Sequence, residues 1–204
     1  MLSKHLYQYA IRIAETRITL LVFISLVLTA CQTVPNNETV ATENSEALYI
    51  QANKSITAGK TDMAIQQFEQ VVKSNPSAKY AYTNLGLLYM ANHESKQAKQ
   101  AFINAIEQDK NDAVAYNNLA VIQRQDGQFQ KALLNYNSAI KLDKKYANAY
   151  LNLGILYDIY LQDLPKAVEQ YEQYQRLTKG KNKDVDKWLV DTKRRIDTKN
   201  TGGK

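Results

Sequence analysis

Apolar and polar positions in this chain repeat with a period of 34 residues. Tyr82, Tyr116 and Tyr150 keep that interval, each followed by Asn-Leu at 84–85, 118–119 and 152–153. Ala98 and Ala132 keep it too, as do Phe102 and Tyr136, Ala105 and Ala139, and Asp109 and Asp143. One period earlier stand Leu48, Ala64, Phe68 and Val71, followed by Pro76, so a weaker first copy precedes three clear ones. Within a copy, Tyr82, Leu85, Gly86 and Tyr89 fall three to four residues apart, on one face of a helix, A. Ala98, Phe102 and Ala105 form the matching stripe of a second helix, B. Gly86 and Gly154, and Ala120 in the same place, are small where another helix must approach. One such pair cannot bury its apolar face alone, so copies must stack into a continuous core. The pattern predicts an all-α solenoid of about four helix-turn-helix repeats, at about 45–78, 79–112, 113–146 and 147–181.

The motif is densest in Tyr82, Leu85, Gly86, Tyr89, Ala98 and Phe102, and again in Tyr150, Leu153, Gly154 and Tyr157. It resembles the tetratricopeptide repeat (TPR). The resemblance implies that function resides in a surface that binds another chain, the concave face lined by the A helices. On that face Tyr80, Thr83, Leu87 and Met90 make a second stripe beside the core stripe. The partner-binding candidates are Tyr49, Asn53, Tyr80, Thr83, Leu87, Asn117, Val121, Arg124 and Leu151, a mixture suited to an extended or helical peptide. The alternative for Leu87, Val121 and Ile155 is packing between adjacent A helices. Some TPR domains clamp a chaperone's C-terminal carboxylate. Asn53 and Asn84 match the asparagines of that pattern, but Tyr49, Val114 and Asn118 stand in its cationic places, which excludes such a clamp.

Residues 1–30 read as a targeting segment. Lys4, Arg12 and Arg17 precede an uncharged, mostly apolar run from Ile18 to Ala30, too short for a comfortable span. It ends in Leu28-Thr29-Ala30-Cys31, which resembles a bacterial lipobox and implies lipidation of Cys31 and a membrane anchor. Gln32 in place of an aspartate implies sorting to the outer membrane, facing the periplasm. Residues 31–45 read as the lipidated cysteine and a flexible tether. Past the repeats, which occupy 46–178, Val185, Trp188, Leu189, Thr192 and Ile196 predict a capping helix over 182–198, with Trp188 covering the last repeat. Residues 199–204 read as a disordered tail. The fourth copy carries one extra residue between Tyr157 and Ala167, with Pro165 suited to a first helical turn and Asp163 near its cap. Its added apolar residues, Ile159, Tyr160, Leu161 and Leu164, are expected under the Trp188 helix.

The formal charge of +6 places +5 in residues 179–204, so a nucleic-acid partner is not expected. That basic segment reads as a solvated cap, with an anionic lipid or acidic partner as the alternative. The single cysteine excludes a disulfide. His93 lies in a turn, and Glu107, Asp109 and Asp112 lie where a polar inter-repeat turn is expected. No phosphate loop, nucleophile elbow or metal-spaced set is present. The reading is a non-enzymatic lipid-anchored scaffold without metal, cofactor or small-molecule substrate, whose partners are a protein or peptide and the membrane. Among TPR lipoproteins the chain loosely resembles the pilotins of type IV pilus secretins, which carry more repeats. The alternatives are an adaptor for a periplasmic protease or peptidoglycan hydrolase, and an accessory of a TonB/ExbB-type energy-transduction or motility system.

Overall fold

The computed structural model describes residues 37–78 and 80–201, and the structural statements below concern those residues. The leader, Cys31 and the start of the tether lie outside them, as do residues 202–204. Among the described residues the helices are α1 (Asn37–Thr57), α2 (Thr61–Ser74), α3 (Ala81–Ala91), α4 (Ser95–Gln108), α5 (Ala113–Gln125), α6 (Phe129–Leu142), α7 (Ala147–Ile155), α8 (Leu164–Thr178) and α9 (Lys183–Thr201). From Thr42 onward they form one compact unit. Odd-numbered helices α1 to α7 are the A helices, and even-numbered ones the B helices.

Every repeat is locked by the same pair. The B-helix rings Phe68, Phe102, Tyr136 and Tyr171 are at most 1% exposed. Opposite them on the A helices lie Ala52, Gly86, Ala120 and Gly154, at the same place in each copy. A Cβ added at Gly86 would lie 2.5 Å from the Phe102 ring, and one at Gly154 2.6 Å from the Tyr171 ring. The small residue is therefore a notch that admits the ring edge, and the ring fills the space between the two helices.

The A-to-B turns share a device as well. Gly59, His93, Gly127 and Gln162 each adopt a left-handed backbone, with φ of 70°, 61°, 73° and 54°. The first and third turns use glycine, for which this conformation carries no Cβ penalty. Gln162 has that penalty, and its side-chain amide donates to the carbonyls of Asp158 and Ile159 at 3.1 and 2.8 Å, which offsets it. Asp163 caps α8 by accepting from the Lys166 amide at 3.3 Å, with Pro165 in the first turn. The neighbouring Lys166 ammonium, by its hydrogen bond, holds the Asp163 carboxyl below its ordinary value. The extra residue of the fourth copy is taken up by a π-helical turn, Leu156–Leu161, at the end of α7.

Four expectations need correction. The helix begins at Asn37, so residues 37–45 of the expected tether are helical. Ser45 is already buried; composition alone made this stretch look like a loop. At the other end α9 continues to Thr201, where Thr198 and Thr201 donate to the carbonyls of Arg194 and Asp197. The apolar residues of the π-turn do not gather under α9. Tyr160 turns toward the preceding repeat, its ring 4.9 Å from that of Phe129, while Ile159 is 58% exposed. Trp188 lies 5.9 Å from Tyr171 but keeps 41% of its surface exposed, so its cover of the last repeat is partial.

Candidate functional site on the A-helix face

Two kinds of hydrogen bond tie neighbouring A helices together. In the first, residues 35 apart meet: Asn84 Nδ2 donates to the Tyr49 hydroxyl at 3.2 Å, and Asn152 Nδ2 to Asn117 Oδ1 at 3.0 Å. In the second, residues 29 apart meet: Thr83 Oγ1 donates to Asp112 Oδ2, and Asn117 Nδ2 to the Tyr146 hydroxyl at 3.3 Å. The second kind links an A helix to the residue just before the next one. Asp112 uses its other oxygen to accept from the Ala115 amide at 2.8 Å, so one carboxylate caps α5 and holds α3. Burial pushes the Tyr146 phenol above its ordinary value, so it stays a neutral partner for Asn117.

This ladder decides which candidates a partner can reach. Thr83 and Asn117 are 6% and 3% exposed and committed to the ladder, so their assignment to the partner surface is corrected: they are its floor. The 34-residue register placed them on the A-helix face but could not show that side chains this short stay between helices. Asn53 and Tyr49 are half-buried. The Asn53 amide donates to the Tyr49 carbonyl at 2.9 Å, and the Tyr49 ring meets Phe68 edge-on at 5.4 Å. Val121 and Leu151 are half-buried against the third and fourth core layers. Arg124 is half-buried, its Nε donating to the Tyr136 hydroxyl at 3.4 Å and its guanidinium 5.6 Å from the Tyr160 ring centre. Tyr80 at 55% and Leu87 at 41% are the exposed candidates. Leu87 is thus a surface residue, and the alternative of burial between repeats does not hold for it. The other polar candidates are also accounted for. Asn118 Nδ2 donates to the Val114 carbonyl, His93 lies in its turn, and Asp109 and Asp112 shape the turn before α5. Among the described residues no His, Cys, Asp and Glu group could hold a metal ion, and no helix is long and apolar enough to cross a membrane.

Sequence reasoning missed one polar cluster. Asp158, 8% exposed, accepts from Arg195 Nη1 at 2.6 Å, from Thr192 Oγ1 at 3.3 Å and from the Tyr171 hydroxyl at 3.3 Å. Burial and the adjacent Asp158 charge push the Tyr171 phenol up, which keeps its proton available to donate. Arg195 therefore belongs to the joint between α9 and the last repeat rather than to a free basic rim. One signal could have found it. Arg124 and Asp158 stand 34 apart, at the place where the first two copies have Ile56 and Met90. The polar residues coincide with Tyr136 and Tyr171, and the apolar ones with Phe68 and Phe102. A hydroxyl on the buried ring thus goes with a polar neighbour on the A helix.

The repeat profiles agree with this geometry. Residues 51–92, 80–112 and 101–133 match tetratricopeptide repeat profiles, and 122–158 matches a TPR repeat profile. Together they run from 51 to 158, more than half of the chain. The chain is a tetratricopeptide-repeat protein.

Solved TPR structures superpose on it. The crystal structure of MamA protein matches with a TM-score of 0.62 and 24% identity, over 78% of this chain and 96% of that one. Pseudomonas aeruginosa PilF matches with a TM-score of 0.65 and 19% identity, over 76% of this chain and 70% of that one. The first TPR of Spaghetti (RPAP3), bound to the HSP90 peptide SRMEEVD, matches with a TM-score of 0.54 and 21% identity, over 58% of this chain and 92% of that one. Among curated proteins nothing matches. At these identities the likeness concerns the fold. No enzymatic family is indicated, and the TPR architecture is that of a protein-interaction scaffold.

Proposed function

We propose that this TPR protein is a non-enzymatic scaffold, held at a bacterial outer membrane by lipid on Cys31, whose A-helix face receives a protein or peptide segment. One observation carries the binding half. Tyr80 and Leu87 stand exposed on a face whose polar floor is hydrogen-bonded within the protein, so they offer apolar surface there to a partner. A tyrosine and a leucine one helical face apart provide rigid apolar anchors of the kind that dominate binding energy. The RPAP3 repeat domain, bound to a peptide, supports a peptide as the class of partner. Its carboxylate-terminated ligand does not transfer. The Asn118 amide is spent on a backbone carbonyl, and Tyr49 brings no cation. For the envelope system we propose pilus-type assembly, a reading with which the likeness to PilF is consistent.

A photo-crosslinking amino acid at Tyr80 or Leu87 tests the face. We expect one discrete adduct from both positions in intact cells, and none from Leu134, which is 67% exposed on a B helix. Adducts of equal yield from Leu134 would refute the assignment. The anchor is tested separately by labelling with an alkyne fatty acid. We expect label on the natural chain and its loss in Cys31→Ser; equal labelling of the two would remove the anchor from the proposal.

A further inference from the structure

The turns leading from each B helix into the next A helix carry exposed lysines along one edge of the stack. The ladder places equivalent residues of successive A helices side by side, so α1, α3, α5 and α7 run parallel and the turns before them share that edge. Lys110 lies in the turn before α5, Lys144 and Lys145 in the turn before α7, and Lys179 and Lys181 in the turn before α9. All five are exposed, and none enters an ion pair among the described residues. Two aspartates of these turns accept from backbone amides and a third is buried. Asp109 Oδ1 accepts from the Asn111 amide at 3.0 Å, Asp143 Oδ1 from the Lys145 amide at 2.8 Å, and Asp112 is buried. The opposite turns, 58–60, 92–94, 126–128 and 162–163, hold Lys60 with Glu94, Asp126 and Asp163, and Asp126 and Asp163 pair with Lys99 and Lys166 of the adjoining B helices. The turn lysines therefore gather on the first edge.

The compact unit also begins on the lysine edge: Thr42 in α1 stands one period before Pro76, two before Lys110 and three before Lys144. Lys179 and Lys181 border an open hollow beside Tyr174, but the row of flexible point charges extends beyond it over three turns. That arrangement suits a plane of diffuse negative charge better than a single anionic ligand or a nucleic acid.

We propose that this edge rests on an anionic phospholipid surface, with Lys110, Lys144, Lys145, Lys179 and Lys181 against the headgroup phosphates and the helices standing on the membrane. The A-helix face then looks along the membrane, open to a partner. The proposal rests on the anchor at Cys31 only for bringing the chain to the bilayer. Each lysine at such a surface strengthens association by about fivefold, an effect confined to roughly a Debye length.

The test is amine acetylation of the full lipidated chain, read lysine by lysine by mass spectrometry on two kinds of vesicle. One kind is phosphatidylcholine, and the other has about one third of it replaced by phosphatidylglycerol. On the anionic vesicles we expect the five lysines to react at least about fivefold more slowly than on the neutral ones, with the protection lost near 1 M salt. Lys60, Lys96 and Lys131, exposed at the opposite edge, should react equally on both. Replacing the five lysines by glutamine should leave flotation with neutral vesicles intact. Cys31→Ser should abolish that flotation while keeping low-salt binding to anionic vesicles, so failure of the anchor and failure of the lysine edge give different patterns. Equal reaction of the five on both vesicles, or equal protection of both edges, would overturn the proposal.

Discussion

The fit of ring into notch makes Gly86→Ala a sharp test of what holds the repeats together. By helix propensity alone the change is favourable, because alanine in the middle of a helix gains about 1 kcal/mol over glycine. By packing it is unfavourable. The new methyl would meet three atoms of the Phe102 ring at 2.5 to 2.7 Å. Carbon atoms rest at about 3.5–4.0 Å, so the ring must retreat by roughly 1 Å. It has nowhere open to go: Phe102 is fully buried against Ala98, Ala105, Ala115, Leu119 and Ile122. Overpacking of this kind costs about 1–3 kcal/mol, which leaves a net loss of about 1 kcal/mol in urea or thermal unfolding. The sign separates the two effects, and a double-mutant cycle isolates the cause. Phe102→Leu destabilises alone by leaving space, yet it removes the ring that clashes. Gly86→Ala should therefore turn neutral or stabilising in the Phe102→Leu background, with a coupling of about 1–2 kcal/mol. If Gly86→Ala stabilises the natural chain by about 1 kcal/mol and the two changes simply add, the notch is not what positions the ring.

Two further outcomes follow from the ladder and the joint. Thr83→Val should cost about 1–3 kcal/mol, because the buried Asp112 loses its donor, whereas Tyr80→Ala should stay within about 0.5 kcal/mol in the same melts. Arg195→Met should destabilise by about 1–2 kcal/mol, below the loss for a fully buried pair because its side chain keeps 37% exposure. The loss should appear as faster hydrogen exchange confined to α9, and adding Asp158→Asn should restore most of it. Unchanged exchange in α9 would show that apolar contact alone holds that helix.

Much of the fold is legible in the sequence because each repeat states it again. One occurrence of Tyr82, Leu85, Gly86 and Tyr89 would be a common apolar helix. Its return 68 residues later as Tyr150, Leu153, Gly154 and Tyr157 is what makes it a solenoid. The ends read less well, since they lack that redundancy. Thr, Asn and Ser in 37–45 have loop-like composition, yet the stretch is helical and continues into a helix whose Ser45 and Ala52 are buried. The candidate surface was half legible. The register found its face, but the depth of a residue depends on side-chain length and on whether a partner stands across the gap. Thr83 finds Asp112 there and sinks into the floor, whereas Leu87 finds no polar partner and stays at the surface. The Asp158–Arg195 joint escaped because its members lie 37 residues apart, and each reads as an ordinary exposed charge.

The end of the stack is written in the same code as its repeats. The Asp158–Thr192 hydrogen bond spans 34 residues, so α9 lies where the A helix of a fifth copy would lie. Thirty-four residues after Leu151 comes Val185, fully buried, which continues the apolar stripe. Thirty-four after Gly154, where the pattern calls for a notch, comes Trp188. A notch admits the ring of a following B helix. An indole fills that space instead and lies 5.9 Å from Tyr171 with its outer side in solvent. No further B helix can dock against α9 in the way the earlier ones dock against α3, α5 and α7. The charge beneath α9 fits this role. The first two repeats place Ile56 and Met90 where the third places Arg124 and the fourth Asp158, which accepts from Arg195, Thr192 and Tyr171. An aspartate there would be costly against another apolar repeat. α9 thus presents a bulky ring where ring-into-notch packing needs a small residue, and its Arg195 neutralises the buried Asp158 beneath it.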